Sequence, residues 1–236
     1  MTPVLLEFIN KCAAMEAGPD EVAEMLHASE AYPAYKRLLT RLYNDSVQTD
    51  AGQVYRMPIL STRYCDELVE LSTLYNFNPN PEEEKDYQIE EVVLSTVDPE
   101  VYEALKKDLL PTLNAYCLLL YSTPITRVES MQIAKYRQEG TAGTGWHHDK
   151  VSDFTCVISL NPESFTGGGT GIRTSADTWD AVPPLPKGHG LIFNGRSIQH
   201  RGLPVTSGER LLLVCWCSTA APASATTAQT EQRVVR

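Results

Sequence analysis

His147 and Asp149 stand two residues apart in GTGWHHDKVSDFT, and His200 follows far downstream in SIQHRGLPVTSGERLLLV. Two imidazoles and one carboxylate are the set that holds non-heme Fe(II) on one face and leaves the opposite positions open. Arg210 comes ten residues after His200, and a guanidinium is suited to gripping a carboxylate through two parallel hydrogen bonds. Together they predict an iron site ligated by His147, Asp149 and His200, with an organic acid held beside it by Arg210. The open positions of an octahedral ion would take a 2-oxo acid through two atoms, and then O2. The hydroxyl of Tyr136, on the run before the HxD triplet, can donate to the same acid.

Each residue also has a plainer explanation. An HxD triplet is common, His200 alone reads as a turn histidine, and Arg210 alone as a surface arginine. Order, spacing and context together favour the metal. Strand geometry puts residues i and i+2 on one face, which selects His147 over His148 as the partner of Asp149. His148 is then either a support to the site or a surface residue. His27, on a helical face, and His189, in a Gly/Pro turn, have no partner at ligand spacing and are set aside. Arg210 opens the apolar run RLLLVCWC, and a cation entering a core is costly without an anion.

These residues need elements to hold them. The first third reads helical: LLEFINKCAAM, DEVAEMLHAS and AYKRLLTRLY carry apolar residues at helical spacing, separated by Gly18-Pro19 and Pro33. Ser61 and Thr62 are N-cap candidates for a helix in RYCDELVELSTLYN, and Pro99 to Tyr121 is again helical. NFNPNPEEEKDYQIEE reads as a loop. From residue 128 the texture changes to short β-prone runs, VESMQIAKY, FTCVISL, GLIFNG and RLLLVCWC, with FTGGGTGIR and VPPLPKGHG as connections. This predicts an all-β barrel or sandwich backed by helices. The expected division is a helical extension over residues 1–50, a catalytic unit over 51–218 and a disordered tail over 219–236.

Composition narrows the class. The chain has 236 residues, 42% hydrophobic and 21% charged, with a net charge of -10. Clustered cations for phosphate are lacking, so nucleic acid is not an expected partner. No apolar stretch is long enough for a membrane span, and no leader-like segment opens the chain. Six cysteines without a CxxC pair read as reduced, buried thiols. An intracellular, cytoplasmic protein is expected, with its oligomeric state open.

At CDELVEL, IAKY, HHD followed by FT, VISLN, FTGGGT, KGHGLIF and HRGLPVTSGER the chain resembles the Fe(II)/2-oxoglutarate-dependent dioxygenases. The resemblance is strongest to the catalytic domain of procollagen lysyl hydroxylases and the related prolyl 4-hydroxylases, and it covers residues 56–217. It implies an α+β protein with a double-stranded β-helix, or jelly-roll, core backed by N-terminal helices. It implies iron on His147, Asp149 and His200, 2-oxoglutarate on Arg210 and Tyr136, O2 as oxidant, and ascorbate as an accessory. Two departures stand out. One extra residue separates Asp149 from Phe154, and Val157 stands where the lysyl hydroxylases carry an asparagine.

The implied reaction hydroxylates a C–H bond while 2-oxoglutarate becomes succinate and CO2. A lysyl or prolyl residue of a polypeptide is the first substrate expectation. A free amino acid or small natural product is the second, with desaturation or cyclisation as variants. Glu82, Glu83 and Glu84 can attract a cationic amine, though a solvated charge run is the commoner explanation. Two other classes stand as rivals: a zinc hydrolase on the same three ligands, and a jelly-roll binding module. The first has no use for Arg210 at its spacing, and an intact ligand set argues against the second.

Overall fold

The structure is a computed structural model, and it describes residues 3–15, 19–79, 85 and 88–219. Three helices lead: α1 (Pro3–Ala14), α2 (Pro19–His27) and α3 (Tyr32–Asp45). A hairpin of β1 (Val47–Thr49) and β2 (Gly52–Pro58) follows, then α4 (Thr62–Ser72), β3 (Asn78–Pro79), β4 (Glu90–Val93), α5 (Leu94–Val97) and α6 (Pro99–Tyr121). The remaining strands are β5 (Arg127–Arg137), β6 (Phe154–Ser159), β7 (Phe165–Gly167), β8 (Thr170–Arg173), β9 (Trp179–Val182), β10 (His189–Phe193), β11 (His200–Gly202) and β12 (Val205–Ser218).

All the strand pairings are antiparallel. They build a major sheet in the order β1-β2-β10-β6-β12-β5-β4-β3, with β7 added on β12, and a minor sheet in the order β11-β8-β9. Two facing sheets and a helical layer match the expected jelly roll backed by helices. The hairpin β1–β2 was not expected, and its first strand carries the major sheet back into residues 47–49, inside the expected helical extension. Two stretches expected as connections contribute strands: β7 and β8 lie within FTGGGTGIR, and β3 and β4 at the ends of the Asn/Pro/acid segment. Glu82, Glu83, Glu84 and residues 220–236 lie outside the described residues.

Helix positions follow from their caps and stripes. The Ser61 hydroxyl accepts from the Tyr64 N–H, and the Asp98 carboxylate from the Val101 N–H, starting α4 and α6. Leu105, Leu109, Leu113, Tyr116 and Cys117 recur on one side of α6 and enter the main core with Cys65 and Leu68 of α4. They meet Met131 and Ile133 of β5, Cys156 and Ile158 of β6, and Leu211, Leu213, Cys215 and Cys217 of β12. The alternate residues of those strands face the other way, towards the minor sheet: Ala134 and Tyr136, Val157, and Leu212 and Val214. Arg210 shares the parity of Leu212 and pairs in register with Tyr136, so its side chain starts into the barrel interior rather than towards the helices. Ile9, Leu26 and Ala31 of the leading helices and the linker after α2 pack on Ala115 and Leu119, on another side of α6. All six cysteines are buried and unpaired, as expected.

Candidate active site

The two histidines are brought together by backbone, not by a regular strand. The His147 N–H donates to the His200 carbonyl at 3.0 Å, and the His200 N–H donates back at 2.9 Å. In β-pairing terms His147 forms this isolated bridge and no strand ladder. The expectation that one strand carries His147 and Asp149 is thereby corrected. The preceding GTAGTG is too rich in glycine to sustain a ladder, and the triplet is an extended loop pinned at one residue. The separation of His147 from His148 holds, since His148 is exposed.

His147, Asp149 and His200 each offer one donor atom, and these lie within 4.8 Å of one another. His200 Nε2 is 3.5 Å from Asp149 Oδ2, and His147 Nε2 is 3.9 Å from Asp149 Oδ1. Nδ1 of His147 faces the Gly145 carbonyl at 3.0 Å, and Nδ1 of His200 faces the Ile198 carbonyl at 3.0 Å. A carbonyl only accepts, so each Nδ1 carries the proton and each Nε2 turns its lone pair to the centre. Burial pulls the His200 imidazole below its ordinary pKa and His147 adds to this, against the opposing pull of Asp149. His200 is therefore neutral near pH 7, the state a metal ligand needs. The Phe193 ring meets the His200 ring edge-on at 4.7 Å and walls the site.

Asp149 is fixed by residues the sequence did not single out for it. The Thr155 hydroxyl donates a short hydrogen bond to Oδ2, and the Asp149 N–H donates to the Gly195 carbonyl at 2.9 Å. A methyl on Gly195 would fall 2.3 Å from Thr155 Oγ1 and 3.0 Å from Asp149 Oδ2, so only glycine permits this approach. In sequence Thr155 reads as an ordinary β-former. Its signal lay only in the FT that follows HHD.

Arg210 is 4% exposed. Its Nη1 donates to the Gly169 carbonyl at 2.9 Å, its Nε has no acceptor, and its guanidinium sits 5.5 Å from the Tyr136 ring centre. No carboxylate partners it among the described residues, and burial pushes its pKa below the ordinary value. Gly167, Gly168 and Gly169 all have positive φ, which lets this turn present its carbonyl to a cation in the core. Tyr136 links the two halves. Its ring lies against Gly202, where a methyl would be 3.2 Å away, two residues beyond His200. Val157 packs on the same interior surface, so an apolar wall stands where the resembling family has an amide. His27 and His189 lie apart from the cluster, as expected.

The donor set fits a divalent cation that takes nitrogen and oxygen ligands. The buried, anion-free guanidinium fits the far carboxylate of a dicarboxylic acid, so the residues present suit iron and 2-oxoglutarate.

No protein-family model matches the chain. A multifunctional procollagen lysine hydroxylase and glycosyltransferase of Caenorhabditis elegans is 24% identical over 205 residues, covering 82% of this chain but 27% of the relative. The chain thus spans about a quarter of that relative's length. A prolyl-4-hydroxylase structure from Pseudomonas putida superposes with a TM-score of 0.54 at 19% identity, covering 71% of this chain and 92% of that one. The α-ketoglutarate-dependent epimerase of nogalamycin biosynthesis superposes with a TM-score of 0.58 at 14% identity, covering 80% and 84%. The fold is therefore the double-stranded β-helix of the Fe(II)/2-oxoglutarate oxygenases.

Proposed function

We propose that this chain is an Fe(II)- and 2-oxoglutarate-dependent dioxygenase that hydroxylates an unactivated C–H bond. The observation that carries the reading is the convergence of His147, Asp149 and His200 within 4.8 Å, with both imidazoles turned so that Nε2 faces the centre. In this reading the two Nε2 atoms and Asp149 hold the iron, and Thr155 fixes the carboxylate. Arg210 neutralises the distal carboxylate of 2-oxoglutarate, with Tyr136 packed beside it. Phe193, Val157, Leu212 and Val214 keep the interior apolar, which strengthens each charge interaction there. Bound iron with 2-oxoglutarate and O2 supplies the oxidation: decarboxylation to succinate and CO2, coupled to hydroxylation of the substrate. A carboxylate donor, Asp149, completes the set beside the two imidazoles, which favours hydroxyl transfer over halogenation.

A lysyl or prolyl residue of a polypeptide is the substrate reading favoured by the likeness to a procollagen lysine hydroxylase and a prolyl-4-hydroxylase. A second reading, chemistry on a small natural product, draws on the likeness to the nogalamycin epimerase. The catalytic unit is taken as residues 47–218, since β1 belongs to the major sheet, with the three leading helices as an extension. Among the described residues no helix is long and apolar enough to cross a membrane.

Anaerobic addition of Fe(II) and 2-oxoglutarate tests the chemistry. A charge-transfer absorption band should appear in the wild type and vanish in His147→Ala, Asp149→Ala and His200→Ala. Absence of the band from the wild type overturns the proposal, and a zinc-dependent hydrolysis would then replace it. A succinate-release screen on lysyl peptides, prolyl peptides and free amino acids, read by a mass gain of one oxygen, separates the substrate readings.

A further inference from the structure

The minor sheet has an outer face that the proposed chemistry does not use. Partners across its strands share a face: His200 pairs with Ile172 and turns inward, so Arg201, opposite Gly171, turns outward together with Arg173 and its partner Trp179. Trp146, one residue before His147, joins this face. The Arg201 guanidinium carbon lies 4.5 Å from the Trp146 ring centre and 4.7 Å from that of Trp179, and the Arg173 carbon lies 4.4 Å from Trp146. The two indoles meet edge-on at 5.9 Å. Gly171 leaves the room: a methyl there would sit 3.1 Å from Arg201 Cγ and 3.3 Å from the Trp146 ring.

Stacking of this kind covers apolar surface and holds the guanidinium planes still. It uses their faces and leaves their N–H edges for other acceptors, and the buried Nε of Arg201 has none. Arg63, Arg127, Arg137 and Arg196 each pair with a carboxylate. Arg173 and Arg201 pair with none among the described residues, in a chain of 30 acidic and 20 basic residues. Two adjacent cations are thus held by indoles and left with donor edges to spare. Trp179 is 42% exposed, so the platform is open to solvent.

We propose that this face docks an acidic stretch of polypeptide, with Arg173 and Arg201 each taking a carboxylate and the two indoles packing against the peptide. The guanidinium fork matches a carboxylate. β9 is the edge of its sheet, beside which an extended segment can lie. A polyphosphate strand needs many cations for binding, and this face offers two, Arg173 and Arg201. Arg201 faces away from its neighbour His200 across the minor sheet, and the docking does not depend on the activity proposed above.

Two of the three tryptophans of the chain belong to the platform, so intrinsic fluorescence reads its occupancy. Hexaglutamate peptide titrated into the full chain at low salt should give a saturable fluorescence change that weakens at high salt. Arg173→Gln and Arg201→Gln should each weaken binding by up to about fivefold, the upper value for an exposed ion pair, and the double variant should abolish it. Arg201→Lys, which keeps the charge and loses the planar fork, should fall between. Circular dichroism and the thermal midpoint verify that each variant is folded. If Arg201→Gln fails to fold, Arg173→Gln and the salt series decide. The proposal is overturned by wild-type affinity in the double variant, or by equal binding of neutral hexaglutamine. It is overturned equally if inorganic phosphate or a single-stranded oligonucleotide gives the same response at equal concentration, or if no saturable change occurs.

Discussion

Arg210 is a buried cation that receives one carbonyl and, among the described residues, no anion, an arrangement that burial alone makes unfavourable. An incoming carboxylate removes that penalty, so its binding energy is concentrated on this residue. A charge-assisted hydrogen bond contributes about 1.5–3 kcal/mol, so Arg210→Ala should raise the 2-oxoglutarate requirement by roughly 10- to 100-fold. Mn(II) affinity, measured in the absence of the acid, should stay close to wild type; unchanged cosubstrate affinity would remove the assigned role. Thr155 acts on the opposite side, through Asp149. Loss of a hydrogen bond to a metal-ligating group typically weakens metal binding by about 10- to 100-fold, so Thr155→Val should do so and Thr155→Ser should restore it. Calorimetric Mn(II) titration decides: Thr155→Val binding as tightly as the wild type would mean that the short hydrogen bond positions nothing.

At the scale of elements, sequence pattern located the strands better than it assigned their faces. RLLLVCWC was legible as a strand because it is apolar, but a continuous apolar run hides which residues face which side. The inward turn expected of Arg210 from its need for an anion is set by its register with Tyr136. The hairpin VQTDAGQVYR escaped notice because its strands are short and half polar, and FTGGGTGIR because three glycines read as a connection. That glycine turn holds Arg210, through the Gly169 carbonyl, in the proposed site. Gly169 has φ of 106°, and a methyl there would fall 2.4 Å from the Val182 carbonyl. Gly169→Ala should therefore cost at least about 1–3 kcal/mol and weaken 2-oxoglutarate binding, because the carbonyl that orients Arg210 must move. Leu109→Ala in α6, a cavity on the far side of the major sheet, should lower stability by about 2–5 kcal/mol with cosubstrate affinity unchanged. Thermal melts paired with cosubstrate titration of the two variants distinguish turn from core. Equal effects on 2-oxoglutarate in both would refute the assignment to the turn.

For the molecule as a whole, the reading of the cysteines as buried thiols has an energetic consequence. Burial pushes Cys65 up to about 11 and Cys217 to about 12, and lifts Cys117, Cys156 and Cys215 well above their ordinary value. Burial likewise raises Tyr121 well above its usual range, and Tyr75, which also donates to Asp98, to about 12. Each of these groups keeps its proton in the folded state at a pH where the unfolded chain has released it. The folded pKa values are raised, so their contribution is fully present below the ordinary thiol and phenol values, about 8.5 and 10. It is lost progressively as pH rises through the window up to 11–12, because the folded state then binds more protons than the unfolded one. The urea midpoint should therefore stay level from pH 7 to about 8.5 and fall steadily above pH 9. At pH 8 a thiol-specific disulfide reagent should find the six thiols unreactive in the native protein and all of them reactive in denaturant, since a protonated and inaccessible sulfur is no nucleophile. A midpoint that stayed level to pH 11, or rapid labelling of the native chain, would mean that the sheet–helix core opens far more readily than its packing implies.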